Sequence, residues 1–165
     1  MPLVRRAALA ASSAGASPVV VVIGADAALV APVLSGIAGV MTVVNDDWQS
    51  GIASSIKTGL RAICDDEAVD GVIITLADQP HVDTTILSDL LAGFDNENRI
   101  VAAAYQNTMG VPVVFGRELF GELMGLSGDN GAGHWLRRHS SEVRRIPLGD
   151  AATDIDTPSD AFLRG

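Results

Sequence analysis

Several residue types are nearly absent from this sequence, and each shortage removes a class of protein. The 165 residues include one cysteine, Cys64, and one lysine, Lys57. A single cysteine cannot close an internal disulfide, so a reducing compartment, the cytoplasm, is the expected location. Aromatic residues make up only 4% of the chain. The hydrophobic core must therefore consist mainly of aliphatic side chains.

Positive charge is also scarce. Eleven Lys and Arg residues stand against 20 Asp and Glu residues, which gives a net charge of −9. Proteins that bind nucleic acids need clustered Lys and Arg to displace counterions from the phosphates, so no nucleic-acid partner is expected. No apolar run approaches the ~20 residues of a membrane span. The N-terminal segment MPLVRRAALAASSAGA carries two arginines but lacks the apolar block of a signal peptide.

The residues that are abundant favour an α/β fold. Hydrophobic residues, mostly Ala, Val, Ile and Leu, make up 48% of the chain, as a sheet packed between helices requires. Helical and strand-like segments alternate, which predicts one domain, residues 1–165, with a mostly parallel sheet and helices on both faces. The predicted helices are 3–14, 25–34, 51–64, 83–94, 117–124 and 132–139, with a last turn from Pro158, and the predicted strands are 18–23, 40–44, 71–76, 100–104, 111–115 and 142–146.

Three polar segments follow predicted strands: VVNDDW, LADQP and DIDTPSD. Ligands in open parallel sheets bind beyond the carboxyl ends of the strands, so the three loops are expected to meet there. Asp78 and Asp156 would then supply oxygen ligands of the kind that Mg²⁺ prefers. Taken singly, either acid is as readily explained as a turn or helix N-cap residue.

The segment SGIASSIKTG predicts a helix whose first turns carry small residues, Ser50, Gly51, Ser54 and Ser55. Free backbone N–H groups at a helix N-terminus attract anions, and small side chains let a phosphate or ribose approach. An ordinary capped helix is the alternative interpretation. Gly59, inside the same helix, predicts a close contact with neighbouring chain.

Five segments together carry a resemblance to a known family: NDDWQSGIASSIKTG, LADQP, YQNTMGVPVVFGREL, LSGDNGAGHWLRRH and DIDTPSD. Their order and spacing resemble the MobA-like NTP transferase family, above all its molybdenum cofactor cytidylyltransferase (MocA-type) branch. The resemblance implies a Rossmann-like three-layer α/β fold of the nucleotide-diphospho-sugar transferase kind. It implies Mg²⁺- or Mn²⁺-dependent transfer of CMP from CTP to molybdopterin with release of pyrophosphate, and a molybdoenzyme as a further partner.

The resemblance also implies roles for individual residues. Asp78 and Asp156 would be the catalytic metal ligands. The residues expected to bind the nucleotide are Asn45, Gly51, Ser54, Ser55, Leu76 and Ala77, and those expected on the acceptor side are Gln79, Pro80, Gly110 and Pro112.

The chain departs from the family pattern at three places. Family members begin with a strand and a loop of the form LAAGxSxRMGxxK, whereas Met1-Pro2-Leu3 stands where that segment should have ended. The domain is therefore expected to be truncated at its N-terminus, with unpaired strand edges that favour a homodimer. Val111 replaces the His of the GHPV motif, and Gly133 replaces the Arg of GDRGAR. Two alternatives stay open: a catalytically impaired accessory or binding relative, and a sugar-phosphate or GTP-using nucleotidyltransferase.

Overall fold

The computed structural model describes residues 1–105 and 108–148. Within these ranges six helices and six strands follow one another in the predicted order. The helices are α1 (Leu3–Ser13), α2 (Ala27–Leu34), α3 (Ile52–Arg61), α4 (Thr84–Ala92), α5 (Phe120–Met124) and α6 (Ala132–Arg138), and the strands are β1 (Val19–Ile23), β2 (Val40–Val44), β3 (Gly71–Ile74), β4 (Ile100–Tyr105), β5 (Thr108–Gly116) and β6 (Arg144–Pro147). None of these helices is long and apolar enough to span a membrane.

The strands form two separate sheets. β1 pairs with β2 in parallel, and the other four strands form a sheet in the order β3-β5-β4-β6. In that second sheet β5 runs antiparallel to both neighbours, while β4 and β6 are parallel. The α/β, Rossmann-like fold is confirmed, but the predicted mostly parallel sheet is mixed. β4 ends at Tyr105 and β5 begins at Thr108, and two strands that pair and lie so close in sequence run antiparallel, because parallel strands need a crossover of a dozen or more residues.

Helices cover both faces of the strands and so explain their apolar composition. On one face α3 packs on Val20, Val72 and Ile74. On the other face α1 and α4 pack on Val19, Val21 and Ile73. A strand covered on both faces reads as a continuous aliphatic run, as the segment VVVVI does.

The predicted close contact at Gly59 is confirmed. A Cβ atom built on Gly59 would lie 3.2 Å from Cγ2 of Val22, so the glycine lets α3 approach β1 closely. The prediction that α3 runs from 51 to 64 was too long by three residues at its end. Arg117 donates side-chain hydrogen bonds to the carbonyl oxygens of Cys64, Asp66 and Val69, which holds the chain after α3 in a turn.

An ion cluster ties the amino end of β3 to its neighbours. Arg99 binds the carboxylates of Asp70 and Glu118 at 3.0 and 2.9 Å and lies over the ring of Phe94. Its hydrogen bonds hold the pKa of Asp70 and that of Glu118 below their ordinary values of 3.8 and 4.5. A carboxyl group whose pKa is lower in the folded than in the unfolded protein stabilises the fold at pH values above its pKa in the unfolded chain. This stabilisation is lost as the pH falls through its pKa in the folded protein.

We therefore expect the melting temperature to fall as the pH drops from about 5 to below 4, and to fall less steeply in the variant Arg99→Met. Removing the guanidinium returns both carboxyl groups towards their ordinary pKa values, so less stabilisation is left to lose. Melting curves of the two proteins across that pH range measure the difference. If the melting temperatures of the two proteins fell by the same amount across that pH range, the cluster would not couple protonation to folding.

Candidate active site

Asn45 joins the end of β2 to the first turn of α3. Its side chain is only 3% exposed, and its Nδ2 donates to the hydroxyl oxygens of Ser54 at 2.7 Å and Ser55 at 3.0 Å. Its Oδ1 accepts a hydrogen bond from the backbone N–H of Asp47. All the hydrogen-bonding atoms of this amide are therefore used within the protein, and the residue fixes the two serines in place.

Ser54 and Ser55 differ in the hydrogen bonds that their hydroxyl groups make. The Ser54 hydroxyl donates to the carbonyl oxygen of Gly51 at 2.8 Å and accepts from Asn45, and the side chain is buried. The Ser55 hydroxyl accepts from Asn45 and borders a large cavity. A hydroxyl group has one proton to donate. Ser55 is thus the serine of this pair that is placed to donate towards a ligand in the cavity.

The glycine-rich segment 128–131 covers the start of α3. The backbone N–H of Ala53 donates to the carbonyl oxygen of Gly128 at 3.1 Å. Gly51 has a φ of +103°, and a Cβ atom on it would lie 2.4 Å from the Gly128 carbonyl and 2.7 Å from Oδ1 of Asp129. Atoms of segment 128–131 therefore occupy part of the space beside the first turn of α3. No local pattern in the sequence indicates this contact, because it joins two distant loops.

The polar loop after β3 lies against β5. Nε2 of Gln79 donates to the carbonyl oxygen of Val111 at 3.4 Å, and the hydroxyl of Tyr105 donates to the same oxygen. Gln79 is buried, whereas Asp78 beside it is exposed. The loop thus brings Asp78, Gln79 and Pro80 next to the segment Gly110–Pro112, and the carboxylate of Asp78 faces solvent at the carboxyl end of β3.

One cavity of about 790 Å³ joins the two halves of this site. Ser55 borders it from α3, Leu76 and Ala77 from the loop after β3, and Val111 from β5. The helix that follows VVNDDW and the loop after β3 therefore border one cavity, although the described residues that line it include none of VVNDDW itself. The third predicted loop, with Asp156, lies outside the described residues. The cavity is also bordered by Asp129, His134 and Arg137. The sequence interpretation did not select these three residues.

The donors present fit a divalent cation of the type that substrate phosphates help to hold. Mg²⁺ takes one or two protein carboxylates and completes its shell with waters and phosphate oxygens. Asp78, which is exposed and directly follows the cavity-lining Ala77, offers one such carboxylate. Within the described part of the chain no three His, Cys, Asp or Glu residues cluster as a metal cage. This donor set suits a cation that arrives with a nucleotide better than one held by protein alone.

Comparison with known proteins gives consistent results. Residues 1–143 match the MobA-like NTP transferase domain. Nicotine blue oxidoreductase of Paenarthrobacter nicotinovorans is 32% identical over 153 residues, which cover 87% of this chain and 72% of that protein. Purine catabolism protein PucB of Bacillus subtilis (strain 168) is 28% identical over 71% of this chain, and the match spans 57% of its own length.

The solved structures include Rv0371c of Mycobacterium tuberculosis H37Rv. It superimposes with a TM-score of 0.77 at 27% identity, over 96% of this chain and 80% of the other. A second structure of that protein is a complex with manganese, with a TM-score of 0.73, 26% identity, and coverage of 96% and 83%. The family match covers most of the sequence, and the structural match extends over nearly all of it. The chain belongs to the MobA-like NTP transferase family, a family of nucleotidyltransferases.

Proposed function

We propose that this protein transfers CMP from CTP to a molybdopterin-type acceptor. The observation that carries the proposal is one cavity bordered both by the serine-bearing start of α3 and by the loop that presents Asp78. A nucleotide and a phosphorylated acceptor must meet in one space for transfer to occur. In the reaction an oxygen of the acceptor phosphate bonds to the α-phosphorus of CTP, and pyrophosphate leaves with the electrons of the broken P–O bond.

The start of α3 is the proposed nucleotide side. Asn45 orients Ser55, whose hydroxyl can donate to a ribose or phosphate oxygen. Gly51 lies against segment 128–131, and Asp129 and Gly131 of that segment border this side of the cavity. Leu76 and Ala77 form an apolar wall of the same cavity, which suits the flat face of a base. These residues bind and orient the nucleotide, and none of them acts as a nucleophile.

The loop after β3 and the neighbouring part of β5 form the proposed acceptor side. The Gln79 amide fixes the loop to the Val111 carbonyl, so that Gly110 and Pro112 lie beside it. Asp78 would hold the divalent cation, with Asp156 as the proposed second ligand. When bound, that cation neutralises charge on the phosphate oxygens as the α-phosphorus reacts. The manganese complex of Rv0371c supports a divalent cation in a protein of this fold.

The decisive test is pyrophosphate release with a panel of nucleotides and acceptors. We expect release with CTP, molybdopterin and Mg²⁺ or Mn²⁺, less with GTP, and at least a hundredfold less for Asp78→Asn, a loss of the ~2.7 kcal/mol size that removal of one oxyanion-hole donor produces. Asp89→Asn removes an exposed acid on α4 and is the charge-matched control. Binding of CTP without release would favour an accessory relative, and release with a sugar phosphate would identify a different acceptor.

A second candidate is a redox reaction. It rests on the 32% identity to a protein whose name is nicotine blue oxidoreductase. This function predicts a change in the absorbance of nicotine blue when the chain is mixed with the dye and a nicotinamide nucleotide, together with no pyrophosphate release from any nucleotide. The two assays on one preparation therefore separate the candidates.

A further inference from the structure

The titratable side chains that border the cavity all come from one short segment. They are Asp129, His134 and Arg137, which belong to the loop before α6 and to α6 itself. Every other described residue around the cavity is uncharged, and most are aliphatic, such as Ala8 of α1 and Leu60 of α3. An anionic group without a partner is costly to place against apolar walls. A charged part of a ligand therefore belongs at the α6 end of the cavity.

α6 has a buried face that fixes its position and a polar face that borders the cavity. The buried residues of the helix are Ala132, Trp135 and Leu136. The Trp135 ring meets that of Phe115 in β5 edge-on at 5.2 Å, and its Nε1 donates to the Glu122 carboxylate at 2.9 Å. Residues three apart on a helix share a face, so His134 and Arg137 lie together on the face that borders the cavity.

The guanidinium group of Arg137 lies beside Gly133, one turn earlier in the helix. Its Nη1 is 3.8 Å from the place that a Cβ atom on Gly133 would take, as expected for a side chain that leans towards the helix N-terminus. That end of α6 packs on α3, because a Cβ atom on Gly131 would lie 3.0 Å from Cγ2 of Ile52. The guanidinium group is therefore directed towards the part of α3 from which Ser55 borders the cavity.

Arg137 differs from the arginines that stabilise the fold. Arg5 and Arg117 donate to backbone carbonyl oxygens, and Arg99 pairs with two carboxylates. Arg137 makes no side-chain hydrogen bond or ion pair within residues 1–105 and 108–148, and among those residues it is the one Lys or Arg that borders the cavity. Its planar fork of five N–H donors matches two oxygens of a phosphate group. His134 adds at least one ring N–H in either protonation state.

Asp129 is the acid at this end of the cavity, and it lies on the α3 side. Its Oδ1 is 2.7 Å from the place that a Cβ atom on Gly51 would take. Asp129 and Arg137 form no ion pair within the described part of the chain. A phosphate group that binds Arg137 therefore has no internal ion pair to displace.

We propose that Arg137 and His134 bind a phosphate group of a substrate at the α6 end of the cavity. This inference rests on the proposed function, in which both the nucleotide and the acceptor carry phosphate. α6 can serve either of them, because it begins against α3 on the proposed nucleotide side and packs on β5, from which Val111 borders the cavity on the acceptor side. A bidentate contact with Arg137 would orient the phosphate group as well as attract it.

Inorganic pyrophosphate in metal-free buffer tests the site without a nucleotide, an acceptor or a cation. We expect saturable binding that shifts the Nε–Hε magnetic resonance signal of Arg137, with a Kd about tenfold or more higher in Arg137→Gln and also raised in His134→Gln. Arg138→Gln removes the next arginine of the same helix, which is exposed and does not border the cavity, and should leave the Kd unchanged. No binding, or equal weakening in Arg137→Gln and Arg138→Gln, would overturn the proposal. Binding of pyrophosphate by a protein that releases none from CTP would refute the transfer reaction and leave this site standing.

Titrations with CTP and with molybdopterin identify the substrate whose phosphate group occupies the site. Weaker binding of CTP alone in Arg137→Gln assigns the site to the nucleotide, and weaker binding of molybdopterin alone assigns it to the acceptor. Cytidine, which has no phosphate group, should bind the variant and the wild-type protein equally. Equal weakening of cytidine and CTP would contradict the proposal, because Arg137 would then shape the cavity and not bind phosphate. Unchanged binding of both substrates would overturn it too, and the pyrophosphate titration decides if the wild-type protein binds neither.

Discussion

Gly51→Ala is expected to lower the free energy of unfolding by about 3 kcal/mol or more and to abolish nucleotide binding. The left-handed φ of +103° alone costs an L-residue about 1–2 kcal/mol. The larger cost is steric, because the new Cβ atom would overlap the carbonyl group of Gly128 at 2.4 Å. Relief requires that α3 and segment 128–131 move apart, which opens one side of the cavity. Chemical denaturation gives the stability change, and calorimetric titration with CTP and Mn²⁺ gives the change in binding.

Gly39→Ala is the matched control for this substitution. Gly39 also has a left-handed φ, +74°, but a Cβ atom on it would meet nothing within 4 Å. We expect a loss of only about 1 kcal/mol, with nucleotide binding intact. Equal losses in the two variants would contradict the packing of segment 128–131 against Gly51.

Asn45→Ala is expected to cost about 2–3 kcal/mol of stability and to weaken nucleotide binding at least tenfold. The substitution leaves the buried Ser54 hydroxyl and the backbone N–H of Asp47 without these partners. An unsatisfied buried polar group costs about 1–3 kcal/mol. Ser55 would also lose the donor that orients it. Urea unfolding and CTP titration measure the two effects separately.

Two further variants show whether the amide nitrogen carries the effect. Asn45→Asp keeps the acceptor for the Asp47 N–H but removes both N–H donors, so it should retain part of the stability and little of the binding. Asn98→Ala removes an amide that donates to Asp95 within an exposed turn and should cost less than about 1 kcal/mol. Unchanged stability and unchanged CTP binding in Asn45→Ala would show that the serines need no positioning.

The sequence predicted the element order well because the periodic signals are local. Strand 40–44 has the predicted bounds, and most other elements differ from prediction by one to three residues. The direction of β5 was missed because the short interval between the predicted strands 100–104 and 111–115 was not interpreted as a link between antiparallel neighbours, although parallel strands need a much longer crossover. The expectation that the domain is truncated at its N-terminus, with unpaired strand edges, came from the family resemblance and remains a prediction.

The candidate site was predictable where strand ends define it. Ser55, Leu76 and Ala77 border one cavity, and Asn45 bonds to Ser54 and Ser55. The roles predicted for these residues in nucleotide binding remain predictions. The contact of Gly128 with Ala53, and the positions of His134 and Arg137, could not be predicted, since they depend on how α6 packs across β5. The Asn45 amide bonds to Asp47 and to the two serines, and its expected position facing the nucleotide remains a prediction.

Asp78 is the residue on which the proposed mechanism depends most, since it would hold the metal-nucleotide complex at the end of β3. Electron paramagnetic resonance of Mn²⁺ tests this role most directly. Titration of Mn²⁺ into the chain with CTP should show a bound species that forms about tenfold more weakly, or not at all, in Asp78→Asn, as loss of one charge-assisted ligand requires. Asp89→Asn should match the wild-type protein. Equal Mn²⁺ binding in Asp78→Asn and the wild-type protein, in the presence of CTP, would contradict this role of Asp78.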